Sequence, residues 1–254
     1  MTAASAVGAE TEASAWGGEA ASFGGALVNL ISVTAAHLED FEDWYSFEHF
    51  PERLAIPGFR RARRYVEVAP EPGARPVQFL SIYETDDVAT LTSDAYLAAL
   101  DAPTDWTRRV APTFIGNERS VGRLNALEGV GRSARVAVAR LLPGTGSEDL
   151  VREAIGSALH AALRSRTLVR ASLIEDDRAA TAAKDATQEG KSMAGSSAPA
   201  GSGWFVVAEL HGVTSRVEGA ELEALLVPAS MHDHVSEVRV SEYRLIVDRT
   251  ADPS

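Results

Sequence analysis

One stretch of this chain combines an amphipathic helix with the residues best suited to chemistry. It reads Trp44-Tyr45-Ser46-Phe47-Glu48-His49-Phe50-Pro51-Glu52-Arg53-Leu54-Ala55-Ile56-Pro57-Gly58-Phe59. On a helix over residues 38–50, one side carries Leu38, Phe41, Tyr45, Glu48, His49 and Glu52. Tyr45 and His49 are spaced i, i+4, so their side chains are neighbours. Because Pro51 lacks an N–H and disfavours helical angles at Phe50, we predict that the helix kinks or ends just beyond His49, at the rim of a cavity.

Length and composition set the broad class. The 254 residues suit one large domain or two of about 100 to 150 residues. A net charge of −12 disfavours nucleic acid as a partner, because phosphate binding needs clustered Lys and Arg. The absence of cysteine excludes disulfides, thiolate catalysis and Cys-ligated metals. Neither a secretory signal nor an apolar run of membrane-spanning length is recognisable, so we expect a cytoplasmic protein with no membrane partner.

The chain has only two lysines, Lys184 and Lys191, and both lie in a low-complexity stretch. The folded parts therefore use Arg for their positive charge. We expect no buried lysine for Schiff-base chemistry.

Hydrophobic patterning predicts the same order of elements, β-α-β-β-α-β, in both halves of the chain. Ser93 and Ser147 are the predicted N-caps of two of the helices. The strands are predicted at residues 26–34, 60–68, 77–84, 118–124, 136–142, 168–174, 204–210 and 237–247, and the helices at 38–50, 93–100, 148–163 and 217–226. This order is the ferredoxin-like arrangement, so the predicted fold class is α+β with two tandem ferredoxin-like units.

The predicted units span residues 26–127 and 134–250. Residues 1–25 are expected to form a disordered tail. Residues 176–203 are rich in Ala, Ser, Gly and Thr without apolar periodicity, and we expect a disordered insertion there. A four-stranded sheet with both helices on one face leaves its other face uncovered, so two such sheets can cover each other within the chain. The space between the sheets is then the expected ligand cavity.

The run from Glu48-His49-Phe50-Pro51 to Ile56-Pro57-Gly58-Phe59 resembles the dimeric α/β-barrel superfamily, and most closely the EthD-like and related small barrel proteins with a His-x-Pro at the end of the first helix. The run from Ser93 to Leu100, ending near Trp106, is similar to the same group. The likeness covers about residues 27–124, and the second half matches by element order alone. His160, for example, has no proline two residues on.

The resemblance implies a pair of ferredoxin-like units with a ligand cavity, either as an intrachain pseudo-dimer or as a homodimer. Members of the superfamily include polyketide cyclases, muconolactone isomerases, cofactor-free monooxygenases and some haem proteins, and many have no known activity. Fold alone therefore does not select a reaction.

The predicted catalytic residues are His49, Tyr45 and Tyr83. Imidazole titrates near neutrality, so His49 could accept and return a proton. Tyr45 or Tyr83 would hold the oxygen on which charge develops, and Glu48 or Glu52 could fix the tautomer of His49. The alternative is a structural His-x-Pro that caps the helix end.

Tyr65, Arg64, Trp44, Glu48 and Trp106 are the predicted substrate-binding residues. Arg64 could bind a carboxylate or enolate, and Trp44 and Trp106, with Phe47 and Phe50, could form an aromatic wall. The alternatives are half-buried strand tyrosines, a solvated basic stripe and ordinary aromatic core packing.

His232-Asp233-His234, with His211 nearby, forms the one metal-like cluster, but polar turn residues are equally expected there. We therefore predict no metal and no cofactor. The leading interpretation is a cofactor-independent acid–base enzyme of cyclase, isomerase, lyase or monooxygenase type, acting on a small aromatic or polyketide-like carbonyl compound. The alternatives are a non-catalytic barrel that binds small molecules, and a haem- or metal-binding protein of the same architecture.

Overall fold

The structure is a computed structural model that describes residues 24–68, 76–127, 129, 131–193, 203–212 and 219–252. The predicted N-terminal tail lies almost entirely outside these residues, since the first strand already begins at Gly24. No helix in the described ranges is both long and apolar enough to cross a membrane.

Antiparallel strands close into a barrel, whose order around the circumference is β1-β3-β2-β8-β5-β7-β6-β4. The strands are β1 (Gly24–Val33), β2 (Phe59–Glu67), β3 (Val77–Thr85), β4 (Gly116–Leu127), β5 (Arg135–Pro143), β6 (Leu168–Asp176), β7 (Trp204–Leu210) and β8 (Val235–Thr250). Each half contributes four neighbouring strands in equivalent order, β4-β1-β3-β2 and β8-β5-β7-β6. The halves join where β2 pairs with β8 and β4 pairs with β6. The α+β class and the closed barrel are therefore confirmed.

The helices lie on the outside of this barrel. They are α1 (Leu38–Trp44), α2 (Phe50–Leu54), α3 (Asp94–Asp101), α4 (Asp105–Val110), α5 (Glu148–Arg164), α6 (Arg178–Asp185), α7 (Gln188–Met193) and α8 (Gly219–Leu226). Ser93 caps α3 as predicted, because its side chain accepts a hydrogen bond from the backbone N–H of Tyr96. Ser147 occupies the N-cap position of α5 as predicted, but its side chain makes no capping bond, and its hydroxyl lies 3.4 Å from Nδ1 of His234.

Of the two predicted outcomes, an end just beyond His49 is not observed, and the helix is instead irregular at this point. A π-helical turn over Tyr45–His49 joins α1 to α2, and the backbone N–H of Phe50 bonds to the carbonyl of Tyr45. This wider turn avoids the clash that the Pro51 ring would make with the carbonyl four residues earlier in a regular α-helix. The helical segment therefore continues to Leu54 and carries Arg53 along the same side as His49.

The second correction concerns residues 176–203, predicted to be disordered. Residues 178–193 form α6 and α7, and only 194–202 lie outside the described residues. The side chain of Asp177 caps α6 by accepting from the backbone N–H groups of Ala179 and Ala180, and an alanine-rich sequence favours the helix. Since β6 pairs with β4, the chain leaves β6 beside the first half. The α6–α7 segment then packs on that half, where Ala180 joins its core.

Alternation along the strands separates two faces. Ala26, Val28 and Leu30 of β1 point into the barrel, where they meet Leu80 and Ile82 of β3. Leu27 and Ile31 point outward to Phe41 and Trp44 of α1. The barrel interior is filled by apolar side chains, and a gap of about 30 Å3 remains beside Tyr243. The ligand cavity expected between the sheets is therefore not present among the described residues.

Candidate functional site

The candidate site lies between the outer face of the first-half sheet and the helices that cover it. Strand β1 contributes Leu27, Asn29 and Ile31 to a small cavity. The helical segment before Pro51 contributes Trp44, Tyr45 and His49, and the remaining lining comes from Arg53, Lys184 and Glu189. This space, called the His49 cavity below, measures about 10 Å3, which is room for about one water molecule.

A row of polar side chains crosses the sheet beneath the helix. Asn29 on β1 is paired in register with Arg119 on β4 and with Ser81 on β3, and Ser81 is in turn paired with Arg64 on β2. All four side chains are buried. Because buried polar groups are costly unless they have partners, such a row on an otherwise apolar face indicates a binding surface.

His49 is buried and sits against aromatic rings. Its ring lies 4.3 Å from that of Trp44, centre to centre, and 5.1 Å from that of Tyr45. Nδ1 of His49 has no hydrogen-bond partner among the described residues. No described carboxylate therefore fixes its tautomer, as Glu48 or Glu52 was predicted to do.

Burial and the charge of Arg53 hold the pKa of His49 well below its ordinary value, and Lys184 acts in the same direction. Glu189 opposes this shift without reversing it. At neutral pH the ring is therefore neutral. A neutral imidazole with an unpartnered nitrogen is a proton acceptor.

Tyr45 and Tyr83 supply hydroxyl groups next to this imidazole. Both rings are fully buried, and neither hydroxyl makes a hydrogen bond of good geometry in the described part of the chain. The two hydroxyls lie close enough to interact with each other, and that of Tyr45 also lies close to Ser81 and Asn29. The ring of Tyr83 lies 6.2 Å from that of His49. Burial raises the pKa of both phenols, so they remain protonated at neutral pH and are available as donors. The structure thus brings together the three residues that were predicted to be catalytic.

Arg64 is buried without a carboxylate partner in the described ranges. It donates to the carbonyl of Glu42 and to the Ser46 hydroxyl, and its Nε–H has no partner. The guanidinium lies 5.2 Å from the centre of the Tyr45 ring. An uncompensated buried cation next to Tyr45 favours negative charge at this end of the site.

A buried group of charges closes the other end of the site. Arg53 of α2 forms an ion pair with Glu189 of α7, and Nζ of Lys184 on α6 lies 3.6 Å from the same carboxylate. All three side chains are less than 4% exposed. Burial alone would raise the pKa of Glu189, but Arg53 and Lys184 lower it to about 2. The carboxylate therefore stays ionised and binds the α6–α7 segment to the first helix.

Two predicted binding residues lie elsewhere. Tyr65 points into the barrel interior, where Arg63 lies 5.9 Å from the centre of its ring. Since consecutive strand residues point to opposite faces, Tyr65 and Arg64 cannot both face His49. Trp106 lies near the surface, where its indole N–H donates to Asp40. Neither residue lines the His49 cavity.

The remaining predicted binding residues have structural partners. Trp44 is fully buried, stacks on His49 and donates from Nε1 to the hydroxyl of Thr107, 3.1 Å away. Glu48 accepts a hydrogen bond from the Thr104 hydroxyl and does not line the cavity. Phe47 is 74% exposed, so the predicted aromatic wall does not form.

The metal-like histidines have separate surroundings. His232 lies 3.3 Å from the carbonyl of Val227, whereas His234 faces Ser147. Within the described ranges, no three His, Cys, Asp or Glu side chains are grouped as a metal site would need.

Sequence reasoning missed several residues of the site: Asn29, Ser81, Arg53, Lys184 and Glu189. Two of them had a signal. Asn29 interrupts an apolar strand, and Arg53 continues the i, i+4 spacing of Tyr45 and His49. Lys184 and Glu189 had no such signal, because the ion pair that connects them to the site joins Glu189 to Arg53, 136 positions earlier in the chain.

The buried His49 predicts that the protein is sensitive to acid. Its pKa in the folded state is below the ordinary 6.5, so the unfolded chain binds the proton more readily. The stabilising contribution is therefore present above pH 6.5 and is lost as the pH falls below it. We expect the urea midpoint to decline from pH 7 to pH 5, and His49→Gln to remove most of that decline. Parallel curves for the variant and the wild type would contradict the assignment.

Neither a protein-family model nor a curated protein matches the chain in sequence. Solved structures do match its fold. An anthrone oxidase-like protein superposes with a TM-score of 0.60 at 8% identity, covering 91% of this chain and 94% of its own. A candidate monooxygenase from Fusobacterium nucleatum gives a TM-score of 0.50 at 8% identity, covering 90% of this chain and 95% of its own. At this identity the likeness concerns the fold. The chain therefore shares the fold of these two proteins, and its own strands close into an antiparallel barrel.

Proposed function

We propose that the protein is a cofactor-independent enzyme that removes a proton from the carbon next to a carbonyl group of a small aromatic or polyketide-like compound. The observation that carries the proposal is a cluster of three buried groups, none of which makes a hydrogen bond of good geometry in the described protein: Nδ1 of His49 and the neighbouring hydroxyls of Tyr45 and Tyr83. Buried polar groups normally have partners, so these are available to a ligand.

In the proposed step, Nδ1 of His49 takes the proton and the C–H electron pair moves onto the carbonyl oxygen as an enolate. The phenols of Tyr45 and Tyr83 donate hydrogen bonds to that oxygen, and Arg64 favours the negative charge from behind Tyr45. Return of the proton at another carbon gives isomerisation. Cyclisation, lyase chemistry and reaction with dioxygen begin from the same enolate.

The two halves of the barrel differ in the face that they present to their helices. The strand orders β4-β1-β3-β2 and β8-β5-β7-β6 are those of two tandem ferredoxin-like units, which we take to span residues 26–127 and 134–250 as an intrachain pseudo-dimer. The outer face of the second half is covered by apolar side chains, including Ile155 and Leu159 of α5. We therefore assign the chemistry to the first half alone.

Substrate entry requires the His49 cavity to widen, because about 10 Å3 admits no aromatic ring. Lys184 and Glu189 are the lining residues contributed by the α6–α7 segment, which packs on the first half from outside it. We propose that this segment moves away when substrate binds.

The test follows hydrogen exchange in deuterated buffer at two positions: next to the carbonyl of 2-tetralone, and at the methylene group opposite the carbonyl of anthrone, which the carbonyl acidifies through the aromatic rings. We expect the wild-type protein to accelerate exchange for at least one ketone. Tyr45→Phe should lower that rate by roughly 10²- to 10³-fold, as expected for the loss of a donor to an oxyanion.

Trp106→Phe is the matched control, because its side chain is aromatic but lies outside the cavity. Its exchange rate should equal that of the wild type. Exchange that is no faster than in buffer, or that survives in Tyr45→Phe, would contradict the proposed function.

A further inference from the structure

Lys184 is buried, contrary to the expectation from the sequence that no lysine would be. Its side chain is 3% exposed and lines the same cavity as His49, although it belongs to the second half of the chain. Lysines are almost never fully buried unless they have a partner. The other lysine, Lys191, lies on α7 and is exposed.

Two other cations and two carboxylates surround Lys184, so with Lys184 the group holds three cations and two carboxylates. The groups that face it are Arg53 of α2, Arg119 of β4, Glu189 of α7, Asp185 of its own helix, the Tyr96 ring of α3 and the neutral His49. Arg53 and Lys184 share the carboxylate of Glu189, and Asp185 forms an ion pair with Arg119. Burial lowers the pKa of Lys184 to about 8, with Arg119 and Arg53 adding to the effect and Glu189 opposing it. In about a tenth of the molecules, Lys184 is then the free amine at pH 7.

We propose that Lys184 is a nucleophilic amine that condenses with the carbonyl carbon of a ligand in the His49 cavity. The inference rests on the proposed function in taking that ligand to be a carbonyl compound. The amine electron pair forms the C–N bond, the carbonyl oxygen takes up a proton, and the carbinolamine then loses water to give an imine. The neutral imidazole of His49 accepts the proton that leaves nitrogen and returns it to the departing hydroxyl. This condensation needs no oxidant and no reductant, and water is its only other product.

The test uses pentane-2,4-dione, a 1,3-diketone that converts a free amine into an enaminone with near-ultraviolet absorption and the release of one water. We expect Lys184 to be modified about tenfold faster than Lys191 at pH 8, judged by peptide mapping. The rate at Lys184 should rise as the pH increases from 6 to 9. Equal or faster modification of Lys191 would overturn the proposal.

Two variants that each keep one lysine test which side chain forms the enaminone. Lys191→Arg should retain the fast enaminone signal, and Lys184→Arg, which keeps the positive charge, should lose it. If Lys184→Arg fails to fold, mapping of the Lys191→Arg protein alone decides whether the product is at Lys184 or at the N-terminal amine.

The outcome is separable from that of the proposed function. Ketone exchange that depends on Tyr45, without fast modification of Lys184, would reject the amine and keep the proton transfer. Fast modification of Lys184 without catalysed exchange would keep the reactive amine and reject the proton transfer.

Discussion

Replacing Glu189 by glutamine is expected to reduce the free energy of unfolding by about 3 to 5 kcal/mol, the range for breaking a buried ion pair. Glutamine preserves the shape of the side chain but removes the carboxylate that Arg53 and Lys184 share. Arg53 cannot release its proton, and its nearest remaining carboxylate, Glu52, lies 3.6 Å away. Lys184 can respond by losing its proton, which limits the cost on that side.

The loss should appear first in the α6–α7 segment. Local detachment of residues 178–193 requires less free energy than global unfolding. Limited proteolysis in buffer without denaturant should therefore cut the variant in this segment before it cuts elsewhere. Urea denaturation measures the global part of the effect. Asp105→Asn is the control, because Asp105 pairs with Arg108 at the exposed surface and should contribute within about 0.5 kcal/mol. A Glu189→Gln effect no larger than that of the control would show that the buried group does not stabilise the segment.

The contrast between these two ion pairs shows what sequence can and cannot predict here. The Arg108–Asp105 pair is local, and its i, i+3 spacing is visible along the chain. The Arg53–Glu189 pair joins residues 136 positions apart. It can form only because β6 pairs with β4, which places the α6–α7 segment that follows β6 beside the first half. An alanine-rich segment with weak apolar patterning looks disordered until the surface that covers it is known.

The strands were predicted well because their signal is local. Alternation and turn residues placed β7 at 204–210, which is its observed range, and β1 within two residues at its start. Local signals do not say which face of a closed sheet meets the helices. That choice decided the location of the site, since Arg64 points to the helices and its neighbour Tyr65 points into the barrel.

The helix that carries His49 was placed correctly at its start and wrongly at its end. Leu38 is the first residue of α1 as predicted, because amphipathic periodicity marks it. Pro51 predicted a kink or an end, and a π turn lets the helix pass through it. This turn has a consequence for the site: Arg53, on the far side of Pro51, still reaches the cavity that Tyr45 and His49 line.

His49→Gln is expected to lower the rate of catalysed ketone exchange by about 10²- to 10⁴-fold, the usual contribution of a general base. Glutamine fills similar space and can hydrogen-bond, but it does not accept a proton at neutral pH. Substrate binding, measured by the ketone concentration at half-maximal rate, should change much less than the rate itself. His160→Gln is the control, because His160 lies on α5 in the second half, away from the cavity.

The pH dependence of the same reaction separates a base from a merely structural histidine. Because the pKa of His49 is held well below 6.5, the wild-type rate should be level through neutral pH and decline only in acid. A structural role would lower the rate of His49→Gln through misfolding and leave the shape of the profile unchanged. We therefore expect the acid limb to be absent from the residual activity of the variant. A limb that persists in His49→Gln would assign the proton transfer to another group.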